Sequence, residues 1–227
     1  MQTTPESLEF FQTLLNPDKP LSETEAARAM ILAARETSWR RNQTCDAVVA
    51  RGAVACILVG AVRKFAVRSN GQRQIVDLIV TGDFLGFAPA DPAFVLEAVS
   101  NDTRIASFTP DQIESLQSRF PAVSALMHNC AAEAIRRLEH HLLVQSRITA
   151  REKVSAYLAA MTRRMKRSRN NTIVLPVTRY DIADHLGIAV ETVSRTMTAL
   201  SRRGSIALRT PRKIEIRDES MLSDTYC

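Results

Sequence analysis

The stretch from Thr178 to Gly204 constrains this 227-residue chain more than any other. Ile182, Ala183 and Leu186 recur at helical spacing after Thr178, a residue suited to cap a helix. Val193, Met197 and Leu200 do the same after Val190. Between the two lies Gly187-Ile188-Ala189, a tight turn in which Gly187 supplies the backbone freedom to reverse direction. Gly204 stands where a left-handed cap usually ends a helix. Small Ala183 falls where the two helices would cross, so the stretch predicts a helix-turn-helix. A hairpin from Ile206 to Ile216, turning at Thr210-Pro211-Arg212, would add the wing of a winged helix.

Charge says what such a unit could meet. From Arg147 to Arg217 there are 16 lysines and arginines against 5 acidic residues, a net +11, while the remainder has 14 against 19. Concentrated positive charge marks a partner of dense negative charge, nucleic acid or an anionic membrane face. In a helix-turn-helix the start of the second helix enters the DNA major groove. The outward residues there are Val190, Glu191, Ser194 and Arg195, with Thr192 at the flank. Arg195 can present its fork to the O6 and N7 acceptors of guanine, and Glu191 can accept from the N4 amine of cytosine. Four apart on one face, the two can also pair with each other. Arg179, at the start of the first helix and off the reading face, is expected to contact phosphate, and Thr178 beside it caps that helix.

Upstream, the pattern changes twice. Residues 1–40 read as helix, with Leu8, Phe11, Leu14 and Leu15 on one face, a break at Asn16 to Pro20, and Ser22 as a cap with Glu25 three residues on. Val48-Val49, Ala53 to Val59, Val62 to Val67, Gln74 to Val80 and Arg104 to Phe108 read as short strands spaced by glycines, the signature of a β-sandwich or roll. Ser69-Asn70-Gly71 reads as a hairpin turn, and the stretch around Pro89 and Pro92 as a loop. Thr109-Pro110-Asp111 opens a short helix. A longer one follows Pro121 and continues at least to Leu143. On it Ala131, Ile135, Leu138, Leu142 and Gln145 alternate in spacing like a coiled-coil seam. Val123, Met127, Cys130 and Ala134 form a second stripe beside the seam. Two stripes predict two surfaces, one against the chain's own roll and one against a second copy; the alternative is an ordinary buried helix.

Several classes are set aside on the same grounds. Aromatic residues make up only 5% of the chain, so aliphatics must build its core. The apolar runs fall short of the roughly 18 residues a membrane helix needs, and no signal peptide is visible, so no membrane partner and a cytoplasmic setting are expected. Cys45, Cys56, Cys130 and Cys227 are scattered, which argues against a local zinc or iron–sulfur site. Histidine is absent before His128, so the roll lacks the clustered ligands of a cupin-type enzyme. His140 and His141, adjacent on the long helix, point in different directions and are expected in solvated or interface positions. No enzyme activity, metal or cofactor is expected.

Two stretches carry a resemblance to a known family. Val190-Glu191-Thr192-Val193-Ser194-Arg195 closely resembles the E-x-x-S-R recognition helix of the fumarate–nitrate regulator branch of the Crp/Fnr family. Ile57 to Arg63, Asn70 to Ile75 and Thr81-Gly82-Asp83-Phe84-Leu85-Gly86 look like that family's β-roll. The resemblance covers about Val48 to Arg217. It implies an α+β chain: an N-terminal cyclic-nucleotide-binding-like β-roll, a long dimerisation helix and a C-terminal winged helix-turn-helix. The implied domains are 1–118, 119–147 and 148–227. The implied function is that of a homodimeric transcription regulator, read as an activator, on double-stranded DNA. Glu191, Ser194 and Arg195 would read half-sites of the TTGA type, because the catabolite-activator branch has Arg where this chain has Val190. In the family the loop corresponding to Arg68, Ser69, Asn70 and Gly71 touches RNA polymerase. The chain departs from the pattern at three places. No cysteine precedes Cys45, so the oxygen-sensing cluster of the fumarate–nitrate members is not expected, which resembles the FixK-like branch. After Gly86, Phe87 to Ala93 lacks the anion-binding arginine of a cyclic-AMP cassette, so nucleotide sensing is not expected. Ala189 replaces the usual Ser or Thr cap. An alternative is a regulator whose DNA binding requires a small-molecule or cyclic-nucleotide effector.

Overall fold

A computed structural model of the chain describes residues 5–15, 21–88, 91–147, 149–165, 171–219 and 222. The chain divides into two compact units, Met1–Arg63 with Ile79–Arg137, and Lys64–Leu78 with Leu138–Cys227.

The first unit opens on helices α1 (Pro5–Leu15) and α2 (Leu21–Ala33). A four-stranded antiparallel sheet follows, ordered β1 (Arg35–Trp39), β7 (Thr103–Phe108), β2 (Val54–Val59) and β5 (Phe84–Leu85). Alternation along β2 and β7 sends side chains to two different interiors. Cys56, Leu58, Ala106 and Phe108 join Phe11, Met30, Val123 and Met127 under the helices. Ala55, Ile57 and Ile105 join Cys45, Val48, Val49, Val62, Leu85 and Leu96 inside the roll. Both faces are buried, so β2 reads as one unbroken apolar run. The roll interior is thus packed mainly with aliphatic side chains. Gly86 closes this packing: it sits at φ +94°, and a Cβ there would lie 2.2 Å from the Ala53 carbonyl oxygen.

Strands β3 (Ala61–Val67) and β4 (Arg73–Val80) pair in a second sheet, ordered β4, β3, β6 (Val95–Ala98). Thr109 caps α3 (Pro110–Arg119) through a reciprocal bond with Gln112. Helix α4 (Pro121–Gln145) then runs through 25 residues. Val123 and Met127 are buried and Cys130 is half-buried, as the second stripe predicts, and Leu126 outside that stripe is buried as well.

The structure departs from the sequence reading at three places. Residues 35–39 form a strand, not helix. This is an edge strand whose polar residues conceal it, with Glu36 paired to Arg104 of β7 at 3.2 Å. Val48 and Val49 lie in a 3-10 segment (Asp46–Gly52), buried as expected but not as a strand. Residues 95–98 form β6, a strand to which the sequence reading assigns nothing; of the loop expected around Pro89 and Pro92, residues 89 and 90 lie outside the described residues.

The second unit contains the hairpin of β3 and β4 beyond residue 63, the end of α4, and helices α5 (Ala150–Arg164), α6 (Arg179–Leu186) and α7 (Val190–Arg202). A three-stranded sheet, ordered β8 (Thr172–Val174), β10 (Lys213–Ile216), β9 (Ile206–Leu208), completes it. Val154, Leu158, Met161, Ile173, Ile182, Leu186, Val193, Met197, Leu200, Ile206 and Ile214 are among its buried apolar side chains. Residues 166–170, which follow α5, lie outside the described residues.

Candidate nucleic-acid interface

Helix α6 starts as its sequence demands. The Thr178 hydroxyl accepts from the Asp181 amide at 3.2 Å and donates to the Asp181 carboxylate at 2.6 Å, and that carboxylate also accepts from the Thr178 amide at 2.8 Å. Asp181 is buried by this exchange. The Thr-x-x-Asp spacing carries the signal for it. Gly187 ends the helix at φ +64°, in the left-handed region.

Helix α7 is amphipathic. Val193, Met197 and Leu200 are buried, while Glu191, Ser194 and Arg195 are exposed on the opposite side and Val190 and Thr192 lie half-buried at its start. Ala189 caps it with no side-chain hydrogen bond. The structure therefore brings the proposed reading residues onto one open face. It does not pair them: Arg195 Nε donates to the Glu191 carbonyl at 3.4 Å, and its guanidinium does not hold the Glu191 carboxylate. Arg179 turns partly inward, with Nη1 buried and without a hydrogen-bond partner, and burial lowers its guanidinium pKa. Tyr180 beside it is exposed.

The predicted wing is present. Strands β9 and β10 pair in antiparallel register, with Arg209 donating its amide to the Lys213 carbonyl across the turn at 2.9 Å. Arg209 and Arg217 share the carboxylate of Glu215, which hydrogen bonding from Arg209 holds below the usual carboxylate range. Arg202, Arg203, Arg209, Lys213 and Arg217 are exposed on α7 and the wing.

At the other end of α6, sequence reasoning missed what the structure assembles. Gln145, expected on the α4 seam, is half-buried and donates to the His185 carbonyl at 2.5 Å. The His141 ring, expected in a solvated or interface position, is half-buried and stacks on His185 with centroids 4.0 Å apart. Burial pushes His185 down to about 3, with the neighbouring His141 adding to the effect and the Ile75 carbonyl opposing it. No spacing rule could have joined positions 75, 141, 145 and 185. Among the described residues, no cluster of three or more His, Cys, Asp or Glu side chains could hold a metal ion. Burial also raises the described thiols, Cys45 to about 12 and Cys130 to about 11, so they stay protonated at neutral pH.

The hairpin tip from Arg68 to Gln72 is exposed, and its turn is fixed by Arg68 and Gln72 and by the Asn70 side chain accepting from the Gln72 amide at 3.0 Å. On α4, Ile135, Leu138, Leu142 and Leu143 are exposed and Ala131 is half-buried. No helix among the described residues is long and apolar enough to cross a membrane.

A winged helix-turn-helix behind a β-roll and a long helix is the architecture of a DNA-binding transcription regulator. A Crp-like helix-turn-helix domain matches residues 152–225. The nitrogen fixation regulation protein FixK of Rhizobium meliloti (strain 1021) is 37% identical over 161 residues, covering 70% of this chain and 72% of that protein. The transcriptional activator protein FnrL of Cereibacter sphaeroides is 30% identical over 175 residues, covering 74% and 71%. The solved structure of FixK2 from Bradyrhizobium japonicum superposes with a TM-score of 0.72 at 28% identity, covering 86% of this chain and 98% of that one. The chain belongs to the Crp/Fnr family of transcription regulators, with FixK proteins among its relatives. Its fold is the cyclic-nucleotide-binding-like roll with a C-terminal helix-turn-helix that the sequence predicts.

Proposed function

We propose that the chain is a homodimeric activator that reads a palindrome of TTGA-type half-sites through Glu191, Ser194 and Arg195. Thr178, Arg179, Val190 and Thr192 flank the reading face. Residues 1–118 serve as the sensor-like domain, 119–147 as the dimerisation helix through Ala131, Ile135, Leu138 and Leu142, and 148–227 as the DNA-binding domain. The hairpin tip Arg68, Ser69, Asn70 and Gly71 is the surface for RNA polymerase.

One observation carries the reading of bases over mere attraction to phosphate. Between Arg147 and Arg217 there are five acidic residues. Glu152 and Asp181 hold helix caps, Asp184 pairs with Arg73, and Glu215 pairs with Arg209 and Arg217. Glu191 alone among them carries a carboxylate with no hydrogen bond or ion pair among the described residues, and it is exposed on α7. A free carboxylate on a strongly cationic face is unfavourable next to phosphate and useful next to a cytosine amine.

Selection from a randomised half-site library tests the assignment. Arg195→Ala is expected to cost about 1–3 kcal/mol per half-site and to relax preference at one base pair. Lys213→Ala, at an exposed wing cation, is expected to weaken all sequences alike and to reduce the salt slope by about one per half-site. If both variants lower affinity uniformly, Arg195 reads no base.

A further inference from the structure

Helix α6 has only eight residues, and its last carbonyls have no amide ahead of them in the helix. Gly187 and Ile188 both direct their amides to Ala183, which leaves the carbonyls of Asp184, His185 and Leu186 to find other donors. Each finds a side chain from a different element. Gln74 of β4 donates its Nε2 to the Asp184 carbonyl at 2.9 Å. Gln145, the last residue of α4, donates to the His185 carbonyl at 2.5 Å. Lys153 of α5 places Nζ 3.4 Å from the Leu186 carbonyl, a cation at the negative end of a helix dipole.

Further contacts hold the same end. Arg73 pairs with the Asp184 carboxylate at 3.0 Å and lies over the Phe65 ring, 5.6 Å from its centroid. The His185 imidazole lies 3.2 Å from the Ile75 carbonyl, from its Nδ1, while its other flank stacks on His141. Gln145 also lies against the turn itself: a Cβ on Gly187 would be in ordinary contact with its Oε1, at 3.4 Å.

We infer that Gln74, Gln145 and Lys153 form a three-armed clamp on the C-terminus of α6, and that this clamp fixes the turn Gly187 to Ala189 that aims α7. They are positioning residues, acting on DNA recognition through the backbone and touching no base; their effect on recognition rests on the reading of α7 given above. A helix of two turns has little stability of its own. Its end, and so the angle at which the next helix leaves it, is set by what satisfies its final carbonyls.

The test uses the full chain and two readouts. The first is hydrogen exchange at the Gly187 and Ile188 amides in the absence of DNA. Gln145→Met keeps the length of the side chain and removes its donor. It is expected to speed exchange at these amides by about tenfold, the cost of one lost hydrogen bond to a carbonyl. Gln145→Lys returns a donor and should restore protection, and Gln74→Met should act like Gln145→Met. The second readout is the ratio of affinity for the selected palindrome to affinity for random duplex. It should fall by about tenfold in Gln145→Met, with the salt slope of random-duplex binding unchanged and the thermal midpoint lowered by no more than the few degrees that one hydrogen bond supplies. Unchanged exchange in the Gln74→Met/Gln145→Met double variant overturns the clamp. So does an equal loss of affinity for the palindrome and for random duplex, which leaves the preference unchanged and marks general destabilisation. A wild-type chain without any sequence preference would remove the reading of α7 instead, and the exchange measurement would still decide the clamp.

Discussion

The seam on α4 gives the most quantitative expectation. Ile135, Leu138 and Leu142 of the seam, with Leu143 beside them, are 57%, 45%, 69% and 48% exposed in a single chain. Together these fractions amount to about two whole aliphatic side chains per protomer, or four in a two-fold pair. Full burial of one such side chain is worth about 1.5–3 kcal/mol, so closing the seam supplies at most about 6–12 kcal/mol. Association costs about 4–15 kcal/mol, so the seam is decisive without a wide margin. Replacing Ile135 and Leu138 with Glu removes about half of the gain, about 3–6 kcal/mol. In a parallel pair it also sets like charges across the axis. The dissociation constant should rise by about two to four orders of magnitude. Sedimentation equilibrium measures this directly, and a gel shift on a palindrome with half-sites about 10–11 base pairs apart should show specific binding lost in parallel. A variant that remains dimeric with wild-type affinity, or a monomer that still binds the palindrome as tightly, would refute the assignment of this face.

Other expectations follow from the same structure. Changes at the exposed Ser69 or Asn70 should lower transcription while leaving DNA affinity intact; equal losses in both assays would mark a folding defect in the hairpin. His185 is held neutral, its pKa lowered from 6.5 to about 3 by burial. The unfolded chain therefore takes up a proton that the folded chain refuses. Stability should be full above about pH 6.5 and fall below it at up to about 1.4 kcal/mol per pH unit, until the folded-state pKa is reached. His185→Gln should flatten urea midpoints measured across that range, and an unchanged slope would show that His185 does not carry it.

Much of the second unit was legible because its signals are local. Thr178 announces a cap, Gly187 a left-handed turn, and Val193, Met197 and Leu200 a buried stripe; each depends on neighbours within one or two turns. Those of the roll were partly legible. Its central strands showed as apolar runs, but β1 did not, because an edge strand with Arg35, Glu36 and Ser38 lacks the apolar alternation of a half-buried one. Val48 and Val49 misled because burial inside the roll demands branched aliphatic side chains whatever the backbone does. The α6 clamp was invisible for a different reason. Gln145 continues the heptad spacing of the seam, and the spacing alone cannot tell that the helix is ending and its face has turned toward His185. Long-range polar contacts of this kind leave no periodic trace.

The distribution of carboxylates between Arg147 and Arg217 bears on how such a surface would discriminate. A cationic face binds any duplex through its phosphates, and that affinity is shared by every competing site. Adding cations raises both terms and improves nothing. A carboxylate at position 191 does the reverse: it penalises a duplex wherever no amine faces it and is compensated only where a cytosine N4 lies within reach. The other four acidic residues of the segment spend their charge inside the protein, on caps and arginines. The wing even gives up part of its cationic strength to Glu215. On the proposed reading of α7, specificity would come from withholding attraction at one exposed position. It is effective only if α7 is held at a fixed angle, because a mobile helix would carry Glu191 away from a wrong base as easily as toward a right one. The missing side-chain cap at Ala189 leaves the start of α7 without a local restraint of its own. The restraint is placed one turn earlier, where three side chains close the end of α6.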